Sequence, residues 1–259
     1  MRSFFIRRAV SVALLIWLVD FGVQLVGAAL FKAVAPQVPE LIQRLLLLFV
    51  LCVGTAALVA GLGAWGKVGY NGPSRWRNLH LLWLPLLLSF LPLIGGVQAL
   101  DAATIAIYVV GYLATGFMEE TLFRGVILSY LRRGGIGRAV AISSVSFGLL
   151  HISRLFFGSA PMTVIWQVLF AMCFGVAFCA LRLRTGTIWP LILLHALWDF
   201  VLNTAHLPTM LYPVVHLALL GYGLFLLRRG VALEPADDAD SVTRAESLPA
   251  AGLSAGYTD

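Results

Sequence analysis

The chain has 259 residues, 60% hydrophobic and only 12% charged, with a formal net charge of +6. A soluble domain carries about 25% charged residues, so this composition, with a mean hydropathy of +0.93, excludes a soluble globular protein and leaves a polytopic membrane protein. The basic residues stand in short clusters between apolar runs rather than along one face, which excludes a nucleic-acid-binding surface and matches the loops of a membrane protein.

A membrane-spanning helix needs about 20 mostly apolar residues. In chain order, that rule predicts spans over residues 9–31, 41–63, 79–99, 103–130, 137–155, 162–181, 187–204 and 209–227. The opening MRSFFIRR has the look of a signal peptide, but the apolar run continues past Gly27-Ala28-Ala29 to Phe31, which predicts a retained first helix. Pro85 and Pro92 interrupt the third span, and the seventh is short and carries His195 and Asp199. The expected fold is therefore an all-α, polytopic membrane helix bundle of about eight transmembrane helices. Cys52, Cys173 and Cys179 all lie within these apolar runs, as core or lipid-facing residues rather than disulfide partners.

The loops alternate in charge. Arg2, Arg7, Arg8, Lys67, Arg75, Arg77, Arg132, Arg133, Arg138, Arg182, Arg184, Arg228 and Arg229 fall on one side, while the opposite loops hold little beyond Lys32 and Arg154. Both termini are thus expected on the cytoplasmic side of an integral multi-pass membrane protein, in a bacterial cytoplasmic membrane given the short, prokaryotic style of the loops. From Val231 the sequence turns to Glu-Pro-Ala-Asp-Asp-Ala-Asp and then Ser, Ala and Gly, which predicts a disordered cytoplasmic tail over 231–259. The remainder divides into N-terminal transmembrane helices, 1–102, and a helical core carrying the chemistry, 103–230.

Only six Asp or Glu residues occur between Arg8 and Arg228, and two of them, Glu119 and Glu120, are adjacent within the fourth span. A charge at mid-membrane costs roughly 2.5–3.5 kcal/mol even on lenient insertion scales. An intramembrane carboxylate pair is therefore expected to serve a function. Glu120 and Arg124 stand four residues apart and can pair, which leaves Glu119 turned about 100° away toward another partner. His151 lies in the fifth span, and His195 and Asp199 share one face of the seventh. At about 1.5 Å rise per residue, Glu119, His151, His195 and Asp199 fall roughly 16, 21, 12 and 18 Å from the cytoplasmic ends of their helices, near the middle of the membrane.

Such a set supports activation of water. A carboxylate with an imidazole can orient and deprotonate a water, while a second imidazole with its Asp neighbour stabilises an oxyanion or protonates a leaving amine. Alternatively, Glu119, His151 and His195 supply the ligands of a catalytic Zn²⁺ with one position open for water. The predicted spans hold no G-x-S-x-G, no cysteine beside a histidine and no H-E-x-x-H.

These residues resemble the three motifs of the CAAX protease and bacteriocin-processing family of intramembrane proteases, which includes the type II CAAX prenyl endopeptidases. The family's E-E-x-x-x-R is similar to Glu119, Glu120 and Arg124; its F-x-x-x-H to Phe147 and His151; its H-x-x-x-N or H-x-x-x-D to His195 and Asp199. Flanking Phe-Arg-Gly125, Ser143-Ser144 and Thr185-Gly-Thr-Ile-Trp-Pro190 add to the likeness, which covers about residues 103–205. The resemblance implies an eight-helix metalloprotease fold with a cavity open toward the cytoplasm or the bilayer. It implies an endopeptidase acting on a membrane-associated peptide or membrane-protein substrate, prenylated or not. Glu119 would be the base on water with His151 beside it, His195 and Asp199 the oxyanion or metal-side partners, and Glu120 with Arg124 the structural support. An ionised Asp199 would be a poor oxyanion donor and is expected instead to orient His195.

Other readings compete. The Glu pair could be an ion pair at a helix end, but Leu122, Phe123 and Gly125-Val-Ile-Leu128 continue the apolar run. A proton-coupled transporter would also place Glu, His and Asp at mid-membrane, yet the chain shows no internal repeat. A non-catalytic adaptor such as a bacteriocin self-immunity protein would be expected to lose a motif residue, and none is lost. His80, His206 and His216 read as interfacial or packing residues, Trp198 as packing, and Asp20 as an intramembrane acid without an evident partner. Arg154 reads as an outer-interface residue.

Overall fold

The computed structural model describes residues 2–73 and 76–229. Arg75 and the tail expected over 231–259 lie outside the described residues. Among the described residues the chain is helical throughout, apart from loops and one isolated antiparallel bridge between Val97 and Ala205. Seven helical stretches are long and apolar enough to cross a membrane: Val10–Val34, Glu40–Gly61, Trp76–Gly95, Ala102–Gly134, Ile136–Phe157, Pro161–Thr185 and Leu211–Arg228. This is an integral membrane helix bundle.

The expected seventh span, 187–204, is an inner helix that runs between the two faces of the bundle at less than full bilayer length. Helix α9, Trp189–Thr204, has 16 residues, about 24 Å of rise against a hydrocarbon core of about 30 Å. Its ends are held by protein. Ile188 N–H donates to Gly69 O at 2.9 Å, the Thr187 hydroxyl to Asn71 O at 2.9 Å and Trp189 Nε1 to Tyr70 O at 3.1 Å. At the other end His206 N–H donates to Gly96 O at 3.0 Å and Gln98 N–H to Thr204 O at 2.8 Å. With Leu191, Ile192, Leu194, Ala196 and Val201 buried, α9 has no need to match the bilayer. The third expected span is broken, as its prolines predict: 3₁₀ turns over Trp76–Leu82 and Leu91–Gly95 flank helix α4, Trp83–Ser89.

The remaining helices are α1 (Arg2–Val34), α2 (Glu40–Gly61), the short α3 (Trp65–Val68), α5 (Ala102–Glu120), α6 (Leu128–Leu131), α7 (Ile136–Leu150), α8 (Pro161–Thr185) and α10 (Leu211–Arg228). Without a hydrophobic force between helices in lipid, close association relies on small residues. Gly148 packs onto Met172 and Val168 O of α8, Gly175 of α8 onto Ser144 of α7, and Gly223 of α10 onto Ala177 of α8. The core lies along α7, α8 and the segment following α5, with Phe123, Phe178, Leu128 and Leu181 almost wholly enclosed.

Between α5 and α6 the helix widens into a π turn, Thr121–Ile127, every residue of which is buried. Two hydroxyls brace its first residue. Tyr70 Oη lies 2.5 Å from Thr121 Oγ1, which itself donates to Phe117 O at 2.5 Å, so the Tyr70 phenol is the donor to Thr121. Burial pushes the Tyr70 phenol up to about 12, which keeps it protonated and donating. The loop before it is fastened by Arg182 of α8, whose Nε and Nη2 donate to Val68 O at 3.2 and 2.9 Å. Gly69, at φ 107°, passes so close to that guanidinium that a Cβ would collide with it.

Candidate active site

The site forms where α5 meets α9. Gly116 makes that approach possible: a Cβ there would lie 2.6 Å from Ile192 O. One turn further along α5, the adjacent carboxylates point to different places. Glu120 and Arg124 are fully buried, and Glu120 Oε1 lies 3.1 Å from Arg124 Nη1. The same Oε1 lies 2.7 Å from Nδ1 of His195. Glu119 instead borders a cavity, with 12% of its side chain exposed.

Arg124 is enclosed by rings. Its guanidinium carbon sits 4.0 Å from the centroid of Phe147 and 5.8 Å from those of Phe174 and Phe178. A desolvated cation over an aromatic face gains about 2 kcal/mol, which together with Glu120 offsets the burial of this charge. The same three rings surround His195, with centroids 6.0, 5.0 and 6.1 Å from the imidazole. Phe147 of the second motif therefore joins the first motif to the third. Phe174 and Phe178 carry no motif signal, and only the folded bundle reveals them as the other walls of this enclosure.

Hydrogen bonding fixes how the imidazoles face. Arg124 is always charged, so its partner Glu120 is an acceptor, and His195 Nδ1 must carry the proton between them. His195 Nε2 is thereby turned toward Glu119 Oε2 at 3.7 Å and Asp199 Oδ2 at 3.6 Å. Both separations exceed a direct hydrogen bond, as is common before substrate arrives. Glu120 makes the direct hydrogen bond to His195, and Asp199, expected to orient the ring, stands beside its other nitrogen. His151 begins a 3₁₀ turn, His151–Phe157, directly after α7. Its Nδ1 lies 3.1 Å from the carbonyl of Phe147, which can only accept, so Nδ1 is protonated and Nε2 is left as an acceptor.

Glu119, His151, His195 and Asp199 all line one cavity of about 1010 Å³. It is large enough for an extended peptide segment of several residues, toward the upper end of ordinary ligand pockets. Sequence reasoning missed several of its walls. Gln24 of α1 lines it and donates to Asp20 Oδ2 at 3.0 Å, giving that intramembrane acid its partner; Ser153 Oγ lies 3.5 Å from Gln24 Oε1. The i, i+4 spacing of Asp20 and Gln24 was the available signal. His216 also borders the cavity, although it is held by stacking on Phe170 at 4.1 Å and by a 2.7 Å bond from Nδ1 to Tyr212 O. His80 bonds Arg77 O through Nδ1, and both it and His206 lie outside the cavity wall.

The cavity occupies only one half of the bundle. The other half, toward the basic loops, is filled by the buried π turn together with Leu128, Leu131, Val140 and Leu181. The opening expected toward the cytoplasm or bilayer therefore has no counterpart on the basic side. As for a metal, among the described residues no group of three or more His, Cys, Asp or Glu side chains is placed to hold an ion. Glu119, His151 and His195 are not gathered to share one ion in this arrangement, although both imidazoles, bonded through Nδ1, keep Nε2 available as a ligand atom.

A family model described as type II CAAX prenyl endopeptidase Rce1-like matches residues 101–201. This segment, similar to the CAAX proteases, contains every residue of the three motifs. No curated protein and no solved structure matches.

Proposed function

On the premise of that Rce1-like match over residues 101–201, we propose that the chain is an intramembrane endopeptidase that hydrolyses a peptide bond of a membrane-associated peptide or membrane-protein substrate. The observation that carries this reading is the division of labour between the two carboxylates. Glu120 is spent on Arg124 and His195, while Glu119 borders the cavity beside the free Nε2 of His195.

In the proposed reaction Glu119 accepts a proton from water, whose other hydrogen is donated to His151 Nε2. The water oxygen attacks the scissile carbonyl carbon, and the carbonyl π electrons move to oxygen. A protonated His195, balancing the surrounding carboxylates, donates from Nε2 to that oxyanion. Collapse of the tetrahedral species breaks the C–N bond, and the proton held by Glu119 passes to the leaving amine. Asp199, beside the same Nε2, holds His195 in its protonated form. The chain lies with both termini on the cytoplasmic side of a bacterial membrane, as the basic loops favour.

Purified protein and a Glu119→Ala variant, offered quenched-fluorescent peptides with and without a farnesyl group, test the reading. Turnover by the wild type and none by the variant supports it, whereas equal turnover removes Glu119 from the chemistry. Added chelator and Zn²⁺ should leave the rate unchanged if water is activated by Glu119 and His151; chelator-sensitive turnover would instead require the donors to rearrange around an ion.

A further inference from the structure

The cavity runs to the end of the bundle that lacks the basic loops. From Glu119 and His195 its wall passes to Lys32 near the end of α1, Arg44 in the first turns of α2, Arg154 in the turn after α7 and Asn203 near the end of α9. None of Lys67, Arg132, Arg133, Arg138 or Arg228 borders it. The rim is cationic, although the opposite-side loops of such proteins are ordinarily poor in Lys and Arg. Glu40 is the acid among the rim's charged residues and is paired with Arg44 at 2.6 Å. Arg154 binds the neutral Gln167 at 2.9 Å rather than a carboxylate. Lys32, Arg44 and Arg154 are all exposed.

We propose that the cavity receives its substrate from the face opposite the basic loops, as an extended extracytoplasmic peptide segment whose acidic side chains meet Lys32, Arg44 and Arg154. This rests on the hydrolytic reading above and on the orientation set by the basic loops. It follows from the filled inner half: a chain reaching Glu119 from the cytoplasmic side would have to displace the buried π turn. Arg154 stands three residues beyond His151 in a 3₁₀ turn, about 6 Å along its axis. At about 3.3 Å per extended residue, the acidic side chain meeting Arg154 belongs two or three residues from the scissile bond.

Access is tested without hydrolysis. With Cys52 and Cys173 replaced by Ala, Asn203→Cys and Arg133→Cys proteins are treated with a membrane-impermeant maleimide in right-side-out and inverted vesicles. Asn203→Cys should label in right-side-out vesicles and Arg133→Cys in inverted ones. Labelling of Asn203→Cys from the inverted side, or from both, overturns the proposal. Charge is tested by the KM for peptides bearing Asp, Asn or Lys three residues from the cut. Arg154→Gln should raise KM about fivefold more for the Asp peptide than for the Asn peptide, the scale of one solvent-facing charge contact. Equal changes for both overturn the acidic preference. If wild type cleaves no peptide in detergent or in either vesicle orientation, the hydrolytic reading falls, and the labelling still decides the face of access.

Discussion

Glu120 and His195, 75 residues apart in sequence, meet at 2.7 Å in the buried interior, and Arg124 completes the group from the other side of the same carboxylate oxygen. One carboxylate thus organises two motifs, and its neighbour is freed for chemistry. Glu119→Gln should leave a folded, monodisperse membrane protein with turnover lowered at least about 100-fold, the usual scale for loss of a general base. Glu120→Leu should do something different. It strands Arg124 in the core, at a cost of roughly 3–5 kcal/mol, and should reduce the yield of folded protein in detergent. Comparing thermal unfolding and turnover of the two variants separates the roles. Equal stability of both would show that Glu120 is not structural.

Gly116 sets the spacing of α5 and α9. Gly116→Ala places a methyl group against Ile192 O, and overpacking of this kind costs typically about 1–3 kcal/mol. The shift acts on the Glu120–His195 contact one turn away, so kcat should fall by more than the loss of thermal stability alone would suggest. A variant with wild-type kcat would mean that the two helices can separate without disturbing the site.

Asp199 lies 3.6 Å from His195 Nε2 and is not its main hydrogen-bond partner. Asp199→Asn should therefore remain within about tenfold of wild-type turnover, since an amide can itself donate to an oxyanion. A complete loss of turnover in Asp199→Asn, with the fold intact, would assign Asp199 a proton-transfer role.

At the start of α5, away from the basic loops, Asp101 caps the helix: Thr104 N–H and Oγ1 donate to its two oxygens at 3.0 and 2.6 Å. The Thr104 hydroxyl first, and its N–H second, hold the Asp101 carboxyl below its ordinary value. A depressed folded-state value gives stability that is complete above the ordinary carboxylate range and disappears as pH falls through the depressed one. The Tm difference between wild type and Asp101→Ala should therefore be full at neutral pH and shrink below about pH 4. A difference independent of pH would mean that the carboxylate charge contributes nothing to the cap.

The motif residues were legible because charge inside an apolar run has few explanations, and because Glu119, Glu120, Arg124, His151, His195 and Asp199 keep informative spacings. Their arrangement was less so. Spacing alone suggested Asp199 as the partner of His195, since the two share a helix face, whereas the stronger partner came from another helix through a contact permitted by Gly116. The π turn was invisible because Thr121–Ile127 is apolar on nearly every side, leaving no periodicity to reveal a change in helical pitch. The length rule read α9 as one more span but could not show that it is enclosed by protein, because an inner helix of the bundle is as apolar as one facing lipid. The direction of the cavity depended on which half of the bundle is filled, a property of packing that no single segment encodes.

The bonds at both ends of α9 have a mechanical consequence. Tethered at Gly69 and Asn71 on one side and at Gly96 and Gln98 on the other, the helix is suspended from protein rather than floated by lipid. Thickening or thinning the bilayer loads the long outer helices α1 and α2, which tilt to keep their apolar lengths submerged. His195, carried on the suspended helix, keeps its distance from Glu120 through such changes. The reaction centre is in effect sprung against the membrane, and its geometry can persist across bilayers of different acyl-chain length.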